Sequence, residues 1–301
     1  MILAFRTCDV FTDMRYSGNP LAIVMGADGL PDAAMQRIAG EFNLSETIFV
    51  LTPDDPANTA RVRIFTPVQE IPFAGHPTIG CAIMLAEDAA PNGDFETVVT
   101  LEEQAGPVPV TVRRTGDGVT AILTAPVIPA VLPTTLSAQA AAAALGLSPD
   151  EIGFGTHRPG AAEGGPRFAF VPVATLDALA RAAPTGADFM TFAAQSDSDG
   201  LYVYTTGANG AAYQARMFAP HSGIPEDPAT GAATALLAAH LDACGVLEDG
   251  TTDLLLHQGV DMGRPARLSL GIDRQGGALT AVRVGGGAVR VSEGTLAPPA
   301  P

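Results

Sequence analysis

The chain has no lysine; all sixteen basic residues among its 301 are arginines. Pyridoxal phosphate enzymes and Schiff-base aldolases need a lysine amine, and a Walker-type phosphate loop needs one as well. All three are excluded. No G-x-G-x-x-G stands between a strand and a helix. The three cysteines, Cys8, Cys81 and Cys244, form neither a disulfide framework nor a metal-ligand spacing. The five histidines, His76, His157, His221, His240 and His257, are scattered, so no metal site is expected. No apolar run approaches the length of a membrane span. The start, MILAFRTCDVF, lacks the charged n-region and long h-region of a signal peptide. These absences lead to a cytoplasmic protein whose chemistry needs no cofactor.

What is present is acidic and apolar. A net charge of −16 argues against a nucleic-acid phosphate groove or an anionic membrane surface as partner. It leaves room for an anionic small molecule held locally by backbone amides. A hydrophobic content of 47% over 301 residues is enough for two cores of ordinary domain size.

One motif occurs twice. Residues 63–80 read RIFTPVQEIPFAGHPTIG, and residues 216–231 read RMFAPHSGIPEDPATG. Arg63, Phe65, Pro67, Ile71 and Pro72 match Arg216, Phe218, Pro220, Ile224 and Pro225 at an offset of 153. Past a two-residue gap, Pro77, Gly80, Ala82 and Leu85 match Pro228, Gly231, Ala233 and Leu236 at 151, which sets His76 opposite Asp227. Strand-like TIFVL (47–51) and LYVY (201–204) continue the first register, and Leu101 and Gln104 align with Leu255 and Gln258. The period is far beyond that of a solenoid, so it marks one duplicated domain. Two lobes are expected, 1–126 with 283–301, and 127–282. If they face each other about a pseudo-twofold axis, His76 and Asp227 can meet across one cleft.

Alternation and turn residues predict strands over 3–10, 21–25, 47–52, 60–66, 98–102, 108–113 and 119–123, with an amphipathic helix over 31–42. The second half reads as a helix over 136–147, a glycine-rich loop over 153–165, and strands over 167–173, 201–205, 212–218, 254–257, 267–271 and 280–284. A turn at Gly285-Gly286-Gly287 precedes a last strand, 288–291.

The two motif helices are expected to begin at Pro77 and Pro228, with His76 and Asp227 as N-caps. TIGCAIMLA and ATGAATALLAAHL are apolar nearly all round, which marks helices buried on every side. The fold class that follows is α+β: two lobes, each a curled sheet or barrel around a buried central helix. A helix N-terminus binds carboxylates through its unpaired N–H groups. Gly75, Gly231 and Ala232 are small enough to let a ligand reach that backbone. An acid and a base on opposite sides of a held carbon suit proton abstraction and return. Simpler readings stand beside these. Asp before Pro is a common capping pair, Glu46 reads by position as a solvated residue ahead of a strand, and Cys81 and Cys244 read as packed thiols.

The segments SGNPLAIV (17–24), NLSETIFV (43–50), RIFTP…FAGHPTIG (63–80), EDPATGAA (226–233) and QGVDMGRP (258–265) together resemble the phenazine biosynthesis PhzF-like family. The resemblance implies the diaminopimelate epimerase-like fold, a homodimer, and no cofactor. It implies that Glu46 transfers the proton, and that His76 and Asp227 support substrate binding and proton shuttling. Asn19 and Ser45 lie in motifs that this resemblance places at the substrate. Asp199, opposite Glu46 at offset 153, sits in SDSDG, unlike NLSET, and reads as a loop residue. Ala232 stands where the family often has serine, and Ala266 where serine is usual after GRP. The related epimerases and proline racemases use two opposed cysteines at the helix starts, and here those places hold no cysteine. The expected function is a cofactor-independent isomerase that moves a proton within a small carboxylic acid. An amino-acid epimerase or racemase, and a catalytically silent carboxylate-binding protein, are the alternatives.

Overall fold

The computed structural model describes residues 2–220 and 223–299. His221 lies outside the described residues. The chain divides into two compact units, Met1–Thr124 with Gly285–Pro301, and Ala125–Val284.

The first unit runs β1 (Leu3–Val10), β2 (Asn19–Val24), α1 (Asp32–Phe42), β3 (Glu46–Leu51), β4 (Ala60–Phe65), β5 (Glu70–Ile71), α2 (Gly75–Ala89), β6 (Phe95–Glu103), β7 (Gly106–Thr115) and β8 (Gly118–Thr124). In β7 the alternation is plain: Val108, Val110 and Val112 point inward while Pro109, Thr111 and Arg113 face out. α1 buries Ala34, Met35, Ile38 and Ala39 on one face and ends at Asn43, whose left-handed backbone (φ 50°) turns the chain toward β3. β1 pairs antiparallel with β2, β2 parallel with β3, β3 antiparallel with β4, β4 parallel with β6, and β6 to β8 antiparallel in turn. The last strand of the chain pairs with both β1 and β8, so eight strands close around α2. α2 is buried from Gly75 to Met84. Gly80 is what lets it sit so close: a Cβ there would lie 2.6 Å from Val10 and 2.7 Å from Leu21.

The second unit runs β9 (Ala130–Leu132), α3 (Ala138–Leu145), β10 (Gly160–Glu163), β11 (Arg167–Pro172), α4 (Leu176–Arg181), α5 (Gly186–Ser196), β12 (Gly200–Thr206), β13 (Tyr213–Ala219), β14 (Ile224–Asp227), α6 (Gly231–Ala243), β15 (Gly250–Gln258) and β16 (Ala266–Gln275), then enters β17 (Ala278–Leu296). Its pairing repeats that of the first unit. β10–β11 is antiparallel, β11–β12 parallel, β12–β13 antiparallel, β13–β15 parallel and β15–β16 antiparallel. α6 is buried along almost its whole length, as α2 is. Both units therefore have the curled strands and central helix expected from the sequence.

Several local expectations need correction. The glycine-rich stretch 153–165 ends as strand β10, because Gly160–Glu163 pair with both β9 and β11. α4 and α5 were not foreseen; their apolar residues Leu179, Phe189 and Phe192 are spaced to pack against alanine-rich α3, in one core with Ala141 and Leu145. The expected turn at Gly285-Gly286-Gly287 is uninterrupted strand. Gly287 serves close backbone approach: a Cβ there would meet the carbonyls of Thr12 and Val119 at 3.1 Å, and Phe11 donates to Gly287 O at 2.7 Å. No helix among the described residues is long and apolar enough to cross a membrane.

Candidate active site

The motif arginines are structural. Arg63 forks onto Glu70 at 2.7 and 2.6 Å and reaches Asp32, and Arg216 forks onto Glu226 at 2.8 Å twice. Each guanidinium also lies over the phenylalanine two residues on, 5.2 Å from the Phe65 ring centre and 4.8 Å from that of Phe218. The pair thus braces β4 against β5 and β13 against β14, ahead of each buried helix.

In the first unit the chain leaves β5 and enters α2 at Gly75, with Ala74 extended (φ −153°) as the N-cap. The helix therefore starts two residues before Pro77, which was expected to be first. Proline is tolerated anywhere in the first turn because those N–H groups have no intrahelical partner. The first turn closes through Thr78 N to Ala74 O. His76 is then not a cap but the second helical residue, and no side chain caps the turn. β3 begins at Glu46, beside Leu21 of β2. Its carboxylate Oε2 lies 3.1 Å from His76 Nδ1, and the two side chains are only 14% and 4% exposed. This is the contact by which a carboxylate and an imidazole can pass a proton between them. Asn19 is fully buried at the start of β2, Ser45 immediately precedes Glu46, and Gly75 is buried at the first position of α2.

In the second unit Asp227 ends β14 and is 6% exposed. It is not the cap of a helix at Pro228. α6 begins at Gly231, with Thr230 as N-cap, and the Asp-Pro-Ala-Thr segment is a lead-in pinned from the side. Thr230 Oγ1 donates to Asp227 Oδ2 at 2.5 Å. Gln258, at the end of β15, accepts from Thr230 N at 3.1 Å and donates from Nε2 to Asp227 O at 2.8 Å and to Thr230 Oγ1 at 3.0 Å. Gly231 and Ala232 are the first two residues of α6.

The strand register corrects one repeat alignment. Ala60 of β4 pairs with Leu101, and its counterpart Tyr213 pairs with Leu256. Leu101 therefore matches Leu256 rather than Leu255, and the residue equivalent to Gln258 is Glu103, not Gln104. Glu103 is 7% exposed and lies against Thr78, whose Oγ1 is 2.5 Å from Glu103 Oε1 and 2.7 Å from Ala74 O. The only signal for it in the sequence was the matched glutamine, one residue out of register.

The cysteines do not form an opposed thiol pair of the racemase kind. Cys81 is fully buried within α2, and burial pushes its thiol far above the ordinary range. Cys8 is equally buried, and Cys244 is half-buried, 3.8 Å from His240 Nε2. Scattered in sequence, His157 and His240 meet around Tyr204 in the second unit, where His157 Nδ1 is 2.7 Å from the Tyr204 hydroxyl. Burial holds His240 down at about 4, so it is a neutral aromatic packing element at neutral pH. Asp199 takes the N–H of Arg167 with its carboxylate, at the exposed turn before β12. Among the described residues no histidine, cysteine and carboxylate group could hold a metal ion.

The sequence profile of the phenazine biosynthesis-like (PhzC/PhzF) proteins matches residues 8–294. The chain belongs to this family. An uncharacterised isomerase of Mesorhizobium japonicum is 43% identical over 293 residues, covering 96% of each chain. The trans-2,3-dihydro-3-hydroxyanthranilate isomerase of Pseudomonas fluorescens is 35% identical, over 96% of this chain and 97% of its own. The crystal structure of a PhzF-family protein from Bacillus anthracis superposes with a TM-score of 0.87 at 24% identity, over 99% of both chains, and so shares the fold. With relatives of this identity named isomerases over essentially their full length, this PhzF-family chain is an isomerase.

Proposed function

We propose that this isomerase moves a proton within a small carboxylic acid, with Glu46 as the group that takes the proton from carbon and returns it. One C–H bond breaks and another forms in the same molecule, so the step needs no electron acceptor. The observation that carries the reading is the Glu46–His76 contact of 3.1 Å, buried at the first turn of a buried helix. A base so placed is shielded from water, and the imidazole can accept or return the proton while the carbon framework rearranges. Asp227 holds the equivalent place in the second half of the repeat and is the further acid–base and binding group. The small residues Gly75, Gly231 and Ala232 leave backbone N–H groups for the substrate carboxylate. Asn19 and Ser45, at the starts of β2 and β3, complete the substrate contacts.

The relative at 35% identity is named for a cyclic amino-carboxylic acid, and this chain is proposed to act on a small acid of that kind. The test is proton exchange in D2O, read by mass spectrometry, on trans-2,3-dihydro-3-hydroxyanthranilate and a panel of small cyclic and amino-acid-derived carboxylates. Wild type should incorporate one deuterium into its substrate, and Glu46→Gln should not. Equal incorporation by both proteins would remove Glu46 from the mechanism.

A further inference from the structure

We propose that Glu103 is a positioning residue of the proton-transfer site: a neutral carboxylic acid that donates its proton to Thr78 and so fixes the turn of α2 carrying His76. The inference rests on the isomerase reading above, and its test is arranged to separate the two.

Thr78 Oγ1 lies within hydrogen-bonding distance of two oxygens, Ala74 O at 2.7 Å and Glu103 Oε1 at 2.5 Å. A hydroxyl has one proton to give, and a backbone carbonyl can only accept. If Thr78 donates to Ala74, the contact with Glu103 is a hydrogen bond only when the carboxyl supplies the proton. The surroundings favour that form. Glu103 is 7% exposed, and its Oε2 has no hydrogen-bond partner among the described residues. Such an oxygen is tolerable as a neutral carbonyl and costly as half of a carboxylate. Burial accordingly raises the acid to about 8, with the Thr78 contact opposing.

The second unit has an amide at the equivalent strand end, and it too is bonded to a threonine, although to Thr230, the N-cap of α6, and not to Ala229, which aligns with Thr78. Gln258 Nε2 donates to Thr230 Oγ1, and Thr230 donates onward to Asp227. An amide nitrogen can only donate, so the direction there is fixed. Glu103 occupies the equivalent strand end and reproduces that direction only when protonated.

The ionisable neighbours leave this assignment standing. Cys81 on α2 is neutral through burial. Arg61 and Arg63 on β4 share a surface recess with Glu103 but bond to Asp54 and to Glu70 and Asp32. Glu102, on the opposite face of β6, receives the N–H groups of Asp54 and Asp55. None of them is bonded to Glu103 among the described residues.

Ionisation of Glu103 as pH rises should break the chain at Thr78 and loosen the His76 turn. Four substitutions test this through kcat, KM and the pH profile. Glu103→Ala and Thr78→Val should each lower kcat about tenfold with KM little changed, since small misplacements near the chemistry cost rate. Thr78→Ser and Glu103→Gln should restore most of it. Wild type should show a fall in kcat around pH 8, and Glu103→Gln should remove it. An alkaline limb identical in wild type and Glu103→Gln overturns the proposal. Two readouts need no substrate. The infrared band of a buried neutral carboxylic acid should be present in wild type at pH 6 and absent from Glu103→Gln. Thermal stability of wild type should fall from the ordinary carboxylate range up to about pH 8, with the fall missing in the variant. If those two hold while no proton exchange is found on any substrate, the proposed proton-transfer reading fails and the clamp stands. If the band is the same in both proteins, the clamp fails whatever the activity.

Discussion

At the end of β6 stands Glu103, and at the end of β15, in the same place of the repeat, stands Gln258. Each reaches a threonine at the start of a buried helix, Thr78 in the first turn of α2 and Thr230 at the N-cap of α6; Thr230 donates onward to Asp227, and on the proposal above Thr78 donates onward to Ala74 O. The amide makes this bond at any pH, whereas the acid makes it only while protonated. The two copies keep a side chain at the same strand end bonded to a nearby threonine, and one of the two is titratable. The units differ again one step earlier. The strand that follows the helix or helices of each unit opens on Glu46 in the first, against His76. The matching acid of the second, Asp199, lies at an exposed turn and merely receives a backbone N–H. The two acids therefore differ in their environments rather than in their presence, and the proposed catalytic role follows the buried one.

The sharpest way to break this comparison is to neutralise both acids in turn. Glu46→Gln keeps the size of the side chain and removes the proposed proton carrier, and a general acid–base group contributes about 10²–10⁴-fold in rate. Turnover should fall at least about 10²-fold with substrate binding kept. Asp199→Asn leaves an oxygen for the Arg167 N–H, and its rate should stay within about twofold, since it touches no reacting group. Steady-state kinetics on the two variants decide it; comparable losses would make the asymmetry false.

Much of this was legible in the sequence, for identifiable reasons. A duplicated motif survives in residues with few substitutes: the arginine that forks onto an acid, the phenylalanine beneath it, and the small residues of a helix that must approach strands closely. Gly80 is one, and its neighbours Val10 and Leu21 show why. What escaped notice depends on long-range pairing. The helix starts were misplaced because proline fits several positions of a first turn, and closure of that turn is decided by Ala74 and Thr230, not by proline. Glu103 was missed because register is set by β4 pairing with β6, which the linear alignment does not contain. In the sequence Gly285-Gly286-Gly287 reads as a turn, although it is strand, because glycine marks turns and close backbone approach alike. α4 and α5 carry their apolar residues in short, alanine-diluted stretches, a pattern weaker than the strands around them.

Within the second unit, Thr230→Val should be the next largest effect. It deletes the hydroxyl that donates to buried Asp227 and accepts from Gln258. Removing one partner from buried hydrogen-bonded groups costs about 1–3 kcal/mol, which equilibrium unfolding should detect. In the first unit, Thr78→Val removes the acceptor of a neutral acid, so it should cost stability at the low end of that range. Equal losses at pH 7 would speak for an ionised Glu103.

Converting one clamp into the other gives a further test. Gln258→Glu places a carboxyl where the structure offers a threonine hydroxyl, a backbone carbonyl and the nearby Asp227 carboxylate. Burial and a like charge both raise its folded-state pKa above the unfolded value of about 4.3. With a raised folded pKa, the native state holds the extra proton, and stability is greatest at low pH. It is lost as pH climbs from the unfolded value through the folded one. Melting temperatures of Gln258→Glu should approach those of wild type near pH 5 and fall behind by pH 8. A constant difference across that interval would mean that the second clamp does not need a donor.

The smallest effect is expected at Ala232, the second residue of α6, where the family often carries serine. The side chain is partly exposed at the start of a helix, so adding a hydroxyl displaces little, and surface changes of this kind usually stay within about 0.5 kcal/mol. Folding of Ala232→Ser should be unchanged. The proposed carboxylate contact there is a backbone N–H, which alanine and serine share. The added hydroxyl supplies one more donor, worth about 0.5–1.5 kcal/mol when it is used. Binding of small carboxylates should therefore tighten by up to about tenfold, or the range of acids accepted should widen, with activity retained in either case. Isothermal titration of wild type and variant with the same panel of acids measures this directly. A variant that loses activity while remaining folded would show that the start of α6 is shaped for alanine, and that this helix does not receive the substrate carboxylate as proposed.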